Sequence, residues 1–376
     1  MAEILLVANY RLDGQQSMLR LADLLEKGLL SCEIDVLMIR PEPFFGLFAR
    51  RWRTLHKWLC YLDKFVLFPF RLLRHARRSL LVHIVDHSNA VYCLWLSQRK
   101  SVVTCNDVLA VRSARGEFGE HKTGITGKLL QRLILRGLRR ATHLACISEA
   151  TRADVLRLTG RCKENVSCIY LGLEPIFESA LARELRKNQP PVAPCDSAPD
   201  WARNGYILHV GGEAWYKNRP GVLRVYGEIR ERLGCDSPDL LMVGPPVGTV
   251  TEGVHFLPGI TDAELAELYR NAALLLFPSF YEGFGWPIVE AQACGCPAVI
   301  TGSPPLTEAG GNAAVWITDP RDIAAAADQV IEVLRESPAV RKERIFAGYR
   351  NAGKFSRDRM IARYLETYTS ILRKWS

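Results

Sequence analysis

The sequence runs one pattern, breaks it, and runs it again. That restricts its fold more than any motif does. Apolar stretches with strand character fall at residues 3–9, 33–41, 80–88, 101–107 and 165–174, with helical periodicity at 17–30, 89–99 and 124–140. Residues 142–160 read as a strand and then a helix, with Ser148 placed to cap it. Residues 44–80 predict helices broken at Pro69. Residues 186–204, RKNQPPVAPCDSAPDWARN, then hold four prolines and no period, which marks a linker. The alternation restarts with strands at 206–212, 240–246, 254–260, 274–279 and 297–301. Helices fall between them at 219–234, 261–272 and 287–295, then at 322–336 and on to the C-terminus. Thr261 and Glu264 form a capping box for one of them. A chain of 376 residues is too long for one ordinary core. The expected fold is α/β, with two doubly wound Rossmann-like domains facing each other across a cleft. The first covers 1–185, the linker 186–204, and the second 205–355.

Ligands of such sheets sit at the carboxyl ends of the strands. The stretch PSFYEGFGWPIVEAQACGCP (278–297) lies there, with Glu282 in a glycine turn and Glu290 about one turn into the helix that follows. Gly283 and Gly285 let the backbone approach a ligand, and the helix start favours an anion such as a phosphate. The two carboxylates can accept sugar hydroxyls. They can equally be acids that stabilise a helix dipole. In HVGGEAWYKNRPG (209–221), Lys217 follows a strand that ends in glycines, where a point charge can meet phosphate. In the first half, HIVDHSNA (83–90) and VVTCNDV (102–108) bring Asp86, His87, Asn106 and Asp107 to strand ends. The loop 9–18 carries Gly14, placed for backbone approach to an acceptor or phosphate.

The chain has no Asp-x-Asp, the paired carboxylate that commonly holds a metal-bound diphosphate. The expectation is a diphosphate held by Lys217 and a helix start, with no metal and no cofactor. Eleven cysteines without a Cys-x-x-Cys pair, behind a start that does not resemble a signal peptide, read as reduced core residues of a cytoplasmic protein. No apolar run is long enough to span a membrane.

At this point the residues resemble a family. FPSFYEGFGWPIVEAQACGCPAVITGSPPLTEAGG is similar to the donor-binding region of the retaining GT-B glycosyltransferases of the large family four, with their Glu-x7-Glu signature. VGGEAWYKN, TDAELAELY and VVTCND resemble further segments of that family. The resemblance implies transfer of a hexose, of mannose or glucose type, from a GDP- or UDP-linked donor to a saccharide or lipid-linked acceptor in envelope polysaccharide or lipopolysaccharide assembly. It implies that Glu282 contacts the donor sugar, Glu290 the ribose, and Lys217 the diphosphate. Gly283, Phe284 and Gly285 would present backbone N–H groups to sugar and phosphate. Gly212, Asn218, Gly244, Ile260 and Trp286 would complete the donor side, the base being read near Gly259 and Ile260. Asn106, Asp107 and His87 would act from the acceptor domain, with Gly14 and Asp86 in its acceptor or phosphate loop. The C-terminal helix 356–376 would pack back on the first domain. The chain departs from the family pattern at Tyr216 and Gly212, where arginines are frequent, and at Asn106, where a histidine is usual.

Nearly the whole net charge of +9 lies in residues 50–80, which hold nine basic residues and one acid, Asp63, among six aromatic ones. The stretch 44–80 reads either as a solvated basic face or as an anionic membrane contact. No nucleic-acid module accompanies it. The expected place is the cytoplasm, peripheral at the inner face of the membrane. The rivals to a transferase are a non-catalytic sugar-nucleotide scaffold, and an epimerase or hydrolase on the same fold.

Overall fold

The computed structural model describes residues 3–47, 53–96, 99–119, 123–187, 205–248 and 251–373. They form two compact units, Met1–Tyr170 with Arg357–Ser376, and Leu171–Ser356. The linker residues 188–204 and the basic residues Arg50 and Arg51 lie outside the described residues.

The first unit holds a six-stranded parallel sheet in the order β2-β1-β3-β4-β5-β6. Its strands are β1 (Ile4–Val7), β2 (Val36–Ile39), β3 (Leu81–Ile84), β4 (Ser101–Cys105), β5 (His143–Cys146) and β6 (Val166–Cys168). β1, β3 and β4 are buried along their whole length, because helices cover both faces. Between the strands run α1 (Gln16–Leu30), α2 (Arg53–Leu62), α3 (Phe68–Ala76), α4 (Leu109–Ala114), α5 (Ile125–Arg140) and α6 (Glu149–Thr159). The Ser148 hydroxyl accepts the Thr151 N–H at 3.1 Å, the cap expected for α6.

Two local expectations change. Where a helix was expected from residue 89 to 99, the described residues form a 3-10 stretch, His87–Leu94, which starts earlier because the Asp86 carboxylate accepts the Ser88 N–H. Pro69 does not break the chain after α2. A π-helical turn, Asp63–Leu67, leads directly into α3, where Pro69 lies in the first turn and needs no N–H. Asp63 is buried there, and its carboxylate accepts the N–H groups of Phe44, Phe45 and Gly46 at 3.1, 2.9 and 2.9 Å and the Tyr10 hydroxyl at 2.8 Å. The one acid of the basic stretch is therefore internal.

The second unit holds a parallel sheet in the order β12-β11-β10-β7-β8-β9. It starts with α7 (Pro175–Lys187), which the sequence patterns did not reveal. Residues 171–185, assigned from sequence to the first domain, belong here instead. The reason is packing: Phe177 of α7 is fully buried with its ring 6.1 Å from that of Tyr269. The strands are β7 (Tyr206–Val210), β8 (Asp239–Val243), β9 (Val254–Leu257), β10 (Leu274–Phe277), β11 (Ala298–Thr301) and β12 (Val315–Ile317). The helices are α8 (Arg219–Leu233), α9 (Asp262–Asn271), α10 (Trp286–Ala293), α11 (Leu306–Gly310), α12 (Ile323–Leu334) and α13 (Pro338–Ala352). The Thr261–Glu264 capping box is present at α9.

The chain then returns to the first unit as α14 (Arg357–Arg373). It packs on α1, where Ile361 approaches Gly28 so closely that a Cβ on the glycine would stand 2.4 Å away. Buried His83 of β3 fixes it: Nε2 bonds the Thr104 hydroxyl at 2.8 Å and Nδ1 the Tyr368 hydroxyl at 2.6 Å. Burial pushes His83 down to about 3, so it is neutral.

Strand order reverses between β1 and β3 in the first sheet and between β7 and β10 in the second. These are the switch points, where chains leaving adjacent strands diverge and open a crevice.

Candidate active site

The second switch point gathers the loops after β7 and β10. Lys217 stands in the first and Glu282 in the second. The Lys217 ammonium donates to both Glu282 oxygens, at 2.8 and 2.7 Å. It also lies 5.6 Å from the centre of the Phe277 ring and 5.8 Å from that of Tyr216. The backbone joins the two loops as well, Phe280 N–H donating to the Tyr216 carbonyl at 2.7 Å.

Asn218 explains how Lys217 is aimed. It adopts a left-handed backbone, φ 53°, and its buried amide donates to the Pro278 carbonyl at 2.9 Å and that of Pro320 at 3.4 Å. That position ties the β7 loop to the β10 loop. The side chain expected on the donor is thus used internally. Gly221 makes room for it, since a Cβ there would stand 2.3 Å from the Asn218 oxygen.

α10 begins at Trp286 behind Gly285, whose φ of 110° and tight contacts exclude a side chain: a Cβ would stand 3.0 Å from Ile288 Cδ1. Phe284 is buried edge-on to Phe355, 5.3 Å between centres, so its ring anchors the turn while Gly283 and Gly285 flank it. Trp286, expected on the donor, is a strut. Its ring is buried and its indole N–H donates to the Gly172 carbonyl at 3.0 Å. Glu290 is also buried, and accepts the Tyr269 hydroxyl at 3.2 Å. Gly212 has open space where a Cβ would be, while Gly244 turns with φ 121° beside the Gly211 carbonyl and the Arg219 guanidinium. Ile260 lines a groove of about 690 Å³ with Ile176, Ala180, Leu257 and Leu268.

Two residues escaped the sequence patterns. Arg219 is buried, and donates to the Pro245 carbonyl at 2.6 Å. It supplies a second cation behind the Gly211–Gly244 turn, two positions beyond Lys217. His209 is fully buried, with Nδ1 2.9 Å from the Leu276 carbonyl and Nε2 bare beneath Gly211. Burial drives its pKa to about 4, with Arg219 and Lys217 adding to the fall against the Leu276 bond. It stays neutral, so Nδ1 carries the proton and Nε2 is an acceptor. No local motif announces either residue.

The first switch point gathers the loops after β1, β3 and β4. Asp86 is its centre. It accepts the Asn9 amide at 2.7 Å, the Ser88 hydroxyl, and the Asn106 amide at 3.3 Å, while His87 Nδ1 lies 3.1 Å away as an ion-pair contact. Asn9 also donates to Gln15 at 2.6 Å and accepts from Asn89 at 3.1 Å. Burial would raise Asp86, but His87, Ser88 and Asn9 outweigh it and hold the carboxyl well below its usual range. Burial likewise lowers His87, yet Asp86 and then Asp107 prevail and raise it. Asp107 lies 3.9 Å from His87 Nε2 and caps α4 through the Leu109 N–H at 2.9 Å. Asn106 is buried, and its carbonyl oxygen has no hydrogen-bond partner among the described residues. Gly14, φ 66°, closes the β1 loop in open space. The structure therefore brings Asp86, His87, Asn106 and Asp107 into one cluster. Among the described residues, no three His, Cys, Asp or Glu side chains are grouped to hold a metal ion.

Two parallel sheets, each with polar or charged side chains at its switch point, define a Rossmann-like two-domain architecture. Solved structures share it across almost the entire chain. Sucrose-phosphate synthase from Thermosynechococcus elongatus matches with a TM-score of 0.73 at 15% identity, covering 100% of both chains. HepE of Anabaena, in complex with UDP and glucose, matches with a TM-score of 0.67 at 15% identity, covering 98% of this chain and 100% of that one. The fold is GT-B. The family model described as Glycosyltransferase Family 4 matches residues 15–177, and that described as Glycosyl transferases group 1 matches residues 249–350. The chain belongs to this glycosyltransferase family. The O-antigen chain mannosyltransferase B of Escherichia coli is 24% identical over 257 residues, 64% of each chain. The D-inositol 3-phosphate glycosyltransferase of Mycolicibacterium smegmatis is 34% identical over 152 residues, 40% of this chain and 34% of that protein. These matches span less than two thirds of the curated relatives' length.

Proposed function

We propose that this protein is a retaining glycosyltransferase that moves a hexose, of mannose or glucose type, from a GDP- or UDP-sugar to a saccharide or lipid-linked saccharide. The observation that carries this is the Lys217–Glu282 pair, closed at 2.7 and 2.8 Å at the second switch point, beside the start of α10. A diphosphate entering there draws the ammonium towards its own charge, and Glu282 is released to accept sugar hydroxyls. The C1–O bond to the diphosphate breaks, and the acceptor oxygen bonds C1 on the same face. Its proton passes to the leaving phosphate oxygen, so no protein base is required. Lys217, Arg219 and the α10 N–H groups stabilise the charge that develops on the leaving group. Glu290 would take the ribose after exchanging its Tyr269 bond. In the first unit, Asp86, His87 and Asn106, whose carbonyl oxygen has no partner among the described residues, are the groups proposed to serve the acceptor. No metal is invoked.

Envelope polysaccharide assembly is the proposed setting, in line with the O-antigen relative. The surface of α2, the π turn and α3 supports a lipid-linked acceptor. Trp58, Leu62, Val66 and Phe70, at steps of four, are all exposed, beside exposed Arg71, Arg74, Arg77 and Arg78. We propose that this stripe meets an anionic membrane surface at its cytoplasmic face. No helix among the described residues is long and apolar enough to cross a membrane.

The test is a screen of GDP- and UDP-hexoses with saccharide acceptors, followed by NMR of the product anomeric centre. Retention is the expected outcome. An inverted product would overturn the retaining reading. Free sugar alone, or an epimerised nucleotide with no acceptor consumed, would overturn the transferase.

A further inference from the structure

Helix α5 buries one side and turns the other outward. Ile134, Leu135 and Leu138 join the core of the first unit. Gly137 brings the helix so near the 3-10 stretch that a Cβ would stand 2.0 Å from the Ala90 carbonyl oxygen. The outward side is not the polar face expected of a helix in water. Ile125, Leu129 and Leu133, at steps of four, are 88%, 58% and 37% exposed. Lys128, Arg132 and Arg136 stand exposed between them, and α5 contains no acid.

The ridge has a counterpart on the same face of the sheet. One core cluster draws Phe68, Leu72 and Ala76 from α3, Val91 and Tyr92 from the 3-10 stretch, and the inner residues of α5. α3 and α5 thus flank that stretch in one layer. Tyr92 packs against Phe68, 5.1 Å between ring centres, and against Trp95, 6.4 Å, whose own ring is 40% exposed. Trp95 is thus an exposed aromatic ring in the layer that also carries the α2–α3 stripe and the α5 ridge.

We infer that α5 is a second foot of an anionic-lipid interface. Its Ile125–Leu129–Leu133 ridge enters the interfacial layer, and Lys128, Arg132 and Arg136 meet headgroup phosphates. The choice of a lipid surface follows from charge: an apolar ridge on a helix whose charged residues are all basic fits an anionic sheet better than a neutral groove. This rests on the proposal that the α2–α3 stripe meets the membrane. It adds orientation. One helix at a surface can roll about its axis, whereas two feet in one layer fix which way the first switch point faces.

The test is sedimentation with vesicles of phosphatidylglycerol and phosphatidylcholine, against phosphatidylcholine alone. Three variants are compared: Ile125→Ser/Leu129→Ser/Leu133→Ser, Lys128→Ser/Arg132→Ser/Arg136→Ser, and Trp58→Ser/Phe70→Ser. All replaced side chains are exposed, and melting curves check that each variant folds. The charge variant should partition roughly 100-fold more weakly into anionic vesicles, and the ridge variant at least about tenfold more weakly. Wild-type binding by both α5 variants, with binding lost in the Trp58/Phe70 variant, overturns the second foot and leaves the stripe standing. A wild-type chain that ignores anionic vesicles overturns both. If the ridge variant instead turns a dimer into a monomer by light scattering, with vesicle binding intact, the face belongs to a second copy and the proposal fails.

Discussion

The two switch points are built from opposite materials. In the second unit, a half-buried cation faces a carboxylate, and two glycine-bearing loops supply nearly everything within short stretches of chain. In the first, one buried carboxylate is wrapped by neutral amides, a hydroxyl and an imidazole drawn from three strand ends. The first kind of site exchanges partners readily, because a Lys–Glu pair can open to a charged ligand. The second kind resists change: each bond to Asp86 supports the next, and losing one leaves a buried group without a partner. A transferase benefits from both. In the proposed transfer, the donor side must release a charged product, and the acceptor side must hold its geometry through the cycle.

Replacing each carboxylate separates the two most sharply. Glu282→Ala should lower kcat/KM by roughly a thousandfold, and Lys217→Ala by roughly a hundredfold, if they contact the donor in the transition state. Donor consumption by chromatography measures both. Turnover within about twofold of wild type in Glu282→Ala would remove the pair from the chemistry. Lys217→Ala should also destabilise the second unit, by about 1–3 kcal/mol, because it leaves a carboxylate that is 7% exposed without its partner.

Asp86→Asn should act on stability as much as on rate. It exchanges an acceptor-only group for one that donates, so Asn9, Ser88 and Asn106 can no longer all be satisfied. We expect a loss of about 2–3 kcal/mol in the first unit and roughly a tenfold loss of activity. His87 provides an independent readout. Its pKa is raised chiefly because the Asp86 contact overcomes burial. A raised pKa means that protonation favours the folded state. That contribution is complete below the unfolded pKa and fades as pH rises through the folded one. Imidazole titration by NMR should therefore show His87 falling in Asp86→Asn. An unmoved titration would show that Asp86 does not govern it.

His83 carries the opposite sign. Burial lowers it to about 3, from an ordinary 6.5. The unfolded chain takes up the proton first, so stability falls as pH drops below 6.5 and levels off near 3. The effect should reach a few kcal/mol and loosen α14 from the first unit, since Tyr368 is bonded to this ring. Denaturant midpoints between pH 7 and 4 measure it. His83→Phe should flatten that slope, and an unchanged slope would assign it to other groups.

The same contrast governs what could be read from sequence. The sheets were legible, apart from the three-residue edge strand β12, because parallel strands buried on both faces appear as uninterrupted apolar runs, and because Pro190, Pro191, Pro194 and Pro199 break the alternation. Lys217 and Glu282 were legible because each lies in a local strand–turn–helix unit. The Asp86 network was legible only as separate polar strand ends, since Asn9 and Asp86 are 77 residues apart and topology alone joins them. α7 was missed because Phe177, its tertiary anchor, depends on Tyr269 rather than on local pattern. His209 was missed for a related reason: inside a strand it looks like one polar interruption, and only burial leaves its Nε2 bare.

Trp286 sharpens the donor side most finely. A motif-based assignment makes it a ligand contact, whereas the structure commits its single N–H to Gly172. Trp286→Phe keeps an aromatic ring in the packed site and removes that bond, leaving a buried carbonyl less well satisfied. The expected loss is about 1 kcal/mol of stability in the second unit, with KM for the donor within about twofold of wild type. Thermal unfolding and donor titration check the two halves separately. A large rise in donor KM without loss of stability would return Trp286 to the binding surface. It would also show that the α10 start admits more of the donor than the glycine turn and Glu282 alone.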